Sequence, residues 1–232
     1  MDLAKLNTDS AGGNSPHVYR ADPTHLVVQG PQVLDPRVPA GEVAVSISTL
    51  LVLDGLCQLR GAVSLADVSL MLEVFSSSAF RIEALDRYSV PEEAQALERF
   101  RTTGQAHDPY MDDWFRLVSG HIAAGRTMCR VHLLRLPLSD YLRWELTVQQ
   151  GSVEQGEDIR IVDLDLHPVL ADIDEDFWLF DDRVPVRMAY DPQGRLIRPE
   201  RMPNGAIDHA RGWRDRAWQV ATPLADFMAG VG

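Results

Sequence analysis

Lysine is almost absent from this chain. Of 22 basic residues only Lys5 is a lysine, and the rest are arginines. Acidic residues number 34, so the formal charge is −12 at neutral pH. A chain with this balance is not expected to grip nucleic acid through its own surface, because phosphate binding needs a basic patch. It suits an acidic face that meets a basic partner, such as a DNA-binding protein. Cysteine is scarce as well: Cys57 and Cys129 lie far apart, with no CxxC and no Cys/His ligand spacing. No run of about 18 apolar residues is present, so no membrane-spanning helix is expected. The first residues do not read as a basic start followed by an apolar stretch, so a signal peptide is not expected either. Together these absences predict a cytoplasmic chain with reduced thiols and no membrane partner.

The common chemical motifs are missing too. There is no GxxxxGK[ST] and no GxGxxG opening a helix, which argues against a nucleotide site of a common type. No GxSxG and no HExxH occur, and the seven histidines are scattered. His132 sits in a strand pattern and reads as a satisfied or surface histidine rather than a base. Cys129, in the same strand, reads as a small core residue. The densest acidic region runs through Asp163, Asp165, Asp172, Asp174, Glu175, Asp176, Asp181 and Asp182. Its "DLDLH" and "DIDED" segments have alternating acids but no glycine turn and no glutamate at the closing position. Neither fits a calcium loop. No cofactor, no metal ligand and no catalytic residue is assigned from these patterns.

What is present is 232 residues with 45% hydrophobic content, enough for a sizeable core. Residues 1–16 are small and polar and read as a flexible leader. "HVYRAD" and "HLVVQG" read as a hairpin, and "QVLDPRVPAG" as a proline-broken loop. "EVAVSIS" alternates like a strand. "TLLVLDGLCQL" has helical spacing, with Leu50, Leu53, Leu56 and Cys57 on one face. The pattern restarts after "RGAVS" at 60–64, where Ser64 and Asp67 form a capping arrangement. The expected organisation is therefore a leader over 1–16, a small domain over 17–62 and a larger domain over 63–232.

In the larger part, "AFRIEAL" alternates Phe80 and Ile82 against Arg81 and Glu83. "RTMCRVHLLRL" alternates Met128, Arg130 and His132 against Cys129, Val131 and Leu133. "DIRIVDL" is a third strand. Helices are expected from "VPEEAQALERF", from "DPYMDDWFRLVSGHIAAG", from the stretch after Ser139 and from "GAIDHARGWRDRAWQVATPLADFM", the last broken at Pro223. "VPVRMAYDPQGRLIRPE" reads as a hairpin across Asp191–Gly194. "DEDFWLFDD" at 174–182 is apolar on both faces of a strand, Phe177 and Leu179 one way, Trp178 and Phe180 the other. Such a strand is central and covered on both sides. Strands and helices mix without strict alternation, so the fold class is α+β: a small N-terminal β-meander plus helix, then a larger α+β domain with a mixed or antiparallel sheet.

Several blocks carry a resemblance. "AFRIEALDRYSVPEE", "RVHLLRLPLSDYLRWEL", "GEDIRIV", "DFWLFDD" and "WRDRAW", in this order and spacing, resemble an uncharacterised actinobacterial family over about residues 70–229. The resemblance implies a setting beside helix-turn-helix regulators, without an established reaction. The first part, "SAGGNSPHVYRADPTHLVVQG" with "EVAVSIS" and the leucine-rich helix, resembles a diverged BldB-like domain, with Ser15 where that domain has cysteine. That likeness implies a homodimer formed through the N-terminal domain and a helix-turn-helix partner.

Within the motifs, charged and aromatic residues cluster. One set is Arg81, Glu83, Asp86, Arg87 and Tyr88. A second is Asp140, Tyr141, Arg143 and Glu145. A third is Glu157, Asp158 and Arg160, with Asp176, Trp178 and Asp181 in the "DEDFWLFDD" stretch. Arginine–carboxylate pairs lock neighbouring elements together, and a polar pocket or partner surface is expected where they converge. The functional expectation is a non-enzymatic regulatory protein that binds a helix-turn-helix transcription factor and alters its DNA binding. The alternatives are an enzyme or a small-molecule-binding protein with an Arg/Asp/Glu/Tyr-lined pocket, and the effector of a conflict system.

Overall fold

The computed structural model describes residues 47–106 and 108–231, together with the backbone of residues 4–8, 17–22, 25–29, 32–33 and 44–45. The chain divides into two compact units, Met1–Ser76 and Ser77–Gly232.

In the first unit, β1 (Ala4–Thr8), β2 (His17–Asp22) and β3 (His25–Gln29) form an antiparallel meander. β4 (Gln32–Val33) and β5 (Ala44–Val45) pair separately. Residues 4–8, expected in the leader, are thus a paired strand. The rest of that leader, including the GGNS stretch with Ser15, lies outside the described residues; of the loop expected over 32–41, Gln32–Val33 are strand β4 and residues 34–41 lie outside the described residues. Helix α1 (Thr49–Arg60) buries Leu50, Leu51, Leu53, Asp54 and Cys57. Leu56 points outward instead, at 44% exposure, because the apolar stripe turns through Leu51 rather than Leu56. Gly61 ends the helix with a left-handed φ of 70°. Helix α2 (Leu65–Val74) begins with the expected capping box. Ser64 Oγ accepts from the Asp67 amide, and the Asp67 carboxylate accepts from the Ser64 amide. Arg60 Nη2 reaches the same carboxylate at 2.7 Å and ties the end of α1 to the start of α2. The sequence restart at 60–64 is therefore the turn between two helices of this unit.

The second unit is built on a seven-stranded mixed sheet. Its strands are β6 (Ser78–Glu83), β7 (Thr127–Leu134), β8 (Asp158–Asp163), β9 (Phe177–Phe180), β10 (Val184–Tyr190), β11 (Leu196–Arg201) and β12 (Thr222–Pro223). They lie in the order β11-β10-β9-β6-β7-β8-β12. β6, β7 and β8 are parallel, and all other pairings are antiparallel. The parallel connections carry helices, as they must: α3 (Ala94–Thr103) and α4 (Met111–Ala123) between β6 and β7, and α5 (Asp140–Glu154) between β7 and β8. After β11 come α6 (Ile207–Val220) and α7 (Leu224–Val231). Pro223, expected to break a single helix, does so as half of the two-residue edge strand β12, where a missing N–H is tolerated. The architecture is α+β with a mixed sheet.

Strand alternation gives this sheet two unlike faces. Phe80, Ile82, Val131, Leu133, Val162, Phe177 and Leu179 form one core with Ala210, Trp213 and Ala217 of α6. Those three lie three and four residues apart, on one face of the helix. On the other face, Ile159 and Ile161 pack with Leu142 and Leu146 of α5 and Leu224 of α7. Closer to the middle of the sheet, that same face carries Arg81, Glu83, Arg130, His132 and Trp178. β9 is central, between β6 and β10, and all four of its residues are buried. It turns into β10 through Asp181 and Asp182, whose φ values of 50° and 59° are left-handed, a conformation that aspartate tolerates better than most residues.

Candidate functional site

The register of β6 and β7 sets Arg81 beside Arg130 and Glu83 beside His132. Two adjacent buried guanidiniums repel unless carboxylates separate them. Glu83 does this with one oxygen for each neighbour: Oε1 lies 3.3 Å from Arg81 Nε, and Oε2 lies 2.9 Å from Arg130 Nη1. The chain extends at both ends. Arg81 Nη2 donates to Asp176 Oδ2 at 2.9 Å, and Arg130 Nε donates to Glu157 Oε1 at 3.0 Å. An alternating line, Asp176–Arg81–Glu83–Arg130–Glu157, therefore crosses the sheet from the start of β9 to the start of β8.

Aromatic and amide groups close the line. Tyr88 Oη donates to Asp176 Oδ2 at 2.5 Å, and the Ala84 amide donates to its other oxygen. Tyr190 Oη accepts from Arg81, and Trp114 Nε1 of α4 donates to Glu157 Oε2. The Arg81 guanidinium lies 5.5 Å from the Trp178 ring and that of Arg130 5.6 Å from the Trp114 ring. His132 Nε2 faces Gln149 Oε1 at 2.8 Å and Glu83 Oε2 at 3.2 Å. Both are acceptors, so this nitrogen carries the proton. Burial lowers the His132 pKa, against the neighbouring charge of Glu83, which raises it. Burial alone would raise the Glu83 carboxyl, but Arg130, His132 and Arg81 outweigh it and bring it down to about 2.

Beside this line lies a cavity of about 250 Å³, between the sheet and the helices. Its wall includes Glu83 and Arg130 from the sheet, Trp114 from α4, Tyr141, Trp144, Glu145 and Gln149 from α5, and Tyr88, Glu93, Asp108 and Tyr190 from connecting segments and the end of β10. The 3-10 turn Pro91–Glu93 delivers Glu93, and Ser139 caps α5 by accepting from the Leu142 amide. Gly194, with a φ of 77°, donates no side chain to the β10–β11 turn. A Cβ there would lie 2.3 Å from the Arg87 carbonyl oxygen. Its own carbonyl accepts from the Ser89 amide at 2.9 Å, which seats the segment bearing Tyr88.

Two carboxyls of the wall differ from the ionic line. Burial pushes Glu93 up to about 7, against a hydrogen bond from Tyr141 and reinforced by Asp108, Glu83 and Glu92. Burial, then the negative charge of Glu83, holds Glu145 well above the usual carboxylate range. Tyr141 Oη bridges them, 3.0 Å from Glu93 Oε2 and 3.4 Å from Glu145 Oε1. Glu145 Oε2 and Trp144 Nε1 are sequestered with no hydrogen-bond partner among the described residues. The site can bind, orient and exchange protons near neutrality. Among the described residues no group of three or more His, Cys, Asp or Glu is placed to hold a metal ion.

Of the residues singled out in the sequence, Arg81, Glu83, Tyr88, Tyr141, Glu145, Glu157, Asp176 and Trp178 come together here. Asp86, Arg87, Asp140 and Arg143 are exposed. Asp86 accepts Ser139 Oγ through its carbonyl, and Asp140 lies 3.7 Å from Arg101. Asp158 and Arg160 pair with each other on the opposite face, where Arg160 lies over the Trp218 ring at 3.9 Å. Asp181 accepts from the amides of Ser77 and Ser78 and anchors the β9–β10 turn. Sequence reasoning missed Arg130, Glu93, Trp114, Trp144, Gln149 and Tyr190. Arg130 had a signal, since it shares the strand period of His132. Cys129, whose thiol burial pushes up to about 11, is an inert core residue.

The fold and the site define an α+β domain with an ionic layer buried under helices. A family model described as "Domain of unknown function (DUF6879)" matches residues 66–229, and the chain belongs to that family. The match covers α2 of the first unit and nearly all of the second. No curated protein and no solved structure matches the chain. Among the described residues no helix is long and apolar enough to cross a membrane.

Proposed function

We propose that this chain is a ligand-binding regulatory protein of the cytoplasm. A small molecule occupies the cavity of the second unit, and the chain acts on a helix-turn-helix transcription factor. The observation that carries the ligand reading is the cavity wall. The carboxyls of Glu93 and Glu145 converge there on the single hydroxyl of Tyr141, among the aromatic side chains of Tyr88, Trp114 and Trp144. A concave site with a few converging polar groups among apolar and aromatic side chains is the usual form of a small-molecule pocket. The partner reading is supported by the charge of −12, which complements a basic DNA-reading surface, and by the resemblance to proteins that accompany such regulators.

The ligand reading is tested by a thermal-shift screen of the full chain against a metabolite library, with Val148→Phe filling the cavity as control. Compounds that stabilise the parent and not the variant are expected; their absence contradicts the reading. For the partner, co-purification with the adjacent helix-turn-helix protein and a gel shift are decisive. Failure to bind, with DNA occupancy unchanged, removes it.

A further inference from the structure

The polarity of the cavity narrows its ligand, and this step rests on the ligand-binding reading above. Four carboxyl side chains, Glu83, Glu93, Asp108 and Glu145, line the wall against one guanidinium, Arg130. Arg130 is already engaged by Glu83 and Glu157, and Glu83 by Arg81, Arg130 and His132. Asp108 Oδ1 accepts from the Tyr110 amide, which leaves Glu93 and Glu145, joined through Tyr141, as the pair to meet a ligand.

Their bookkeeping points one way. Tyr141 Oη sits between them, and a phenol has one proton to donate. If both carboxyls ionise, Tyr141 satisfies only one of them. In the unliganded state one of the pair therefore holds a proton and donates it to the Tyr141 oxygen. The surrounding groups are Glu83 on β6, Arg130 on β7, Asp176 before β9, Asp108 before α4 and Glu92 beside Glu93. Arg81 and Arg130 are each already engaged by two carboxylates, so an entering anion meets the carboxyls of Glu93, Asp108 and Glu145 without an uncommitted arginine on the wall. A neutral molecule leaves the carboxyls protonated and gains little from them. A cation replaces the proton and satisfies both. The rings of Tyr88, Trp114, Tyr141 and Trp144 add aromatic faces to the same wall, which favour organic cations over hydrated inorganic ones.

We propose that the cavity takes a small organic cation, its ammonium or guanidinium group received by Glu93 and Glu145 and its body by the aromatic side chains of the wall. The volume of about 250 Å³ is below the roughly 300–1,000 Å³ of drug-sized pockets, which fits a metabolite and not a peptide. Binding near neutral pH exchanges one cation for up to one proton, released from the Glu93–Glu145 pair to solvent.

The test is calorimetry on the full chain with three compounds of similar shape: tyramine, the neutral alcohol tyrosol and the anion 4-hydroxyphenylpropionate. Tyramine is expected to bind at least about tenfold tighter than either of the others near pH 8. Its affinity should fall as pH drops toward about 6, with proton release visible as a dependence on buffer ionisation enthalpy. Glu145→Gln should weaken tyramine by about tenfold or more and leave tyrosol unchanged. Glu93→Gln, at the more exposed edge, should do the same and serves if Glu145→Gln does not fold. If tyrosol or the anion binds as well as tyramine, the cation proposal is overturned while the ligand reading stands. If none of the three binds, the cation proposal also falls, and the library screen decides the ligand reading separately.

Discussion

Two neighbours in one strand, Ile82 and Glu83, meet opposite surroundings. Ile82 points into the apolar core under α6, with Phe80, Val131, Leu133, Phe177 and Leu179. Glu83 points into the line of arginines and carboxylates beside α4 and α5. Both faces are buried, but they are held in different ways. Apolar burial contributes about 1.5–3 kcal/mol for each large side chain and is indifferent to pH. A buried ion pair contributes little net stability, because desolvation cancels most of its attraction, yet losing one partner is costly. The α6 face therefore stabilises the fold, and the middle of the other face, beside the apolar cluster of Ile159, Ile161, Leu142 and Leu146, fixes charges and donors around a cavity at a near-neutral energetic balance.

The sharpest way to break this contrast is Glu83→Ala. It leaves Arg81 and Arg130 adjacent and unseparated, and a loss of about 3–5 kcal/mol is expected in urea unfolding. Ile82→Val, one residue away, should cost only about 0.5–1.5 kcal/mol. Equal effects would mean that the two faces do not differ. Gly194→Ala comes next. Its Cβ would collide with the Arg87 carbonyl at a positive φ, so a loss of about 2–4 kcal/mol is expected, with the Tyr88 segment displaced in near-ultraviolet dichroism. Tyr88→Phe removes one donor from Asp176 and should cost about 1.5–3 kcal/mol, with Arg81 and Ala84 still in place.

The smallest effect is one of pH, and its sign separates two carboxyls. Glu93 is raised from 4.5 to about 7. Between those values the folded chain holds a proton that the unfolded chain has lost, so stability falls as pH rises through the window. Glu93→Gln should therefore stabilise by about 1–2 kcal/mol near pH 8, after allowance for partial exposure, and change little near pH 4. Glu83, lowered from 4.5 to about 2, behaves in the opposite sense. Its contribution is present above 4.5 and is lost as pH falls toward about 2. Stability measured from pH 3 to about 8 in the parent and in Glu93→Gln resolves the two.

The sequence made the apolar side of this architecture legible. "FWLF" could only be a central strand, since it is apolar in both directions, and the Ser64–Asp67 cap and the Asp191–Gly194 turn announce themselves through local chemistry. The ionic side was harder to see. "FRIE" and "CRVH" alternate like strands with one face in water, and no local signal says that α4 and α5 cover that face. Sequence neighbours also mislead. Glu157, Asp158 and Arg160 read as one set, but the strand period sends Asp158 and Arg160 to the α6 side while Glu157, just outside the strand, reaches Arg130. Glu93 and Trp144 reach the cavity only through the packing of a 3-10 turn and a helix, which no spacing rule encodes.

The division of labour between the faces meets its most direct test at Glu145→Gln, an isosteric change on the cavity wall. The measurement is urea unfolding near pH 8 of parent and variant, each with and without tyramine. Burial holds the Glu145 carboxyl above its ordinary range, so replacing it with a neutral amide should leave the ligand-free variant as stable as the parent or more so. Tyramine should raise the midpoint of the parent and not that of the variant. A variant that is weaker by more than about 1 kcal/mol without ligand, and is still stabilised by tyramine as the parent is, would contradict the account.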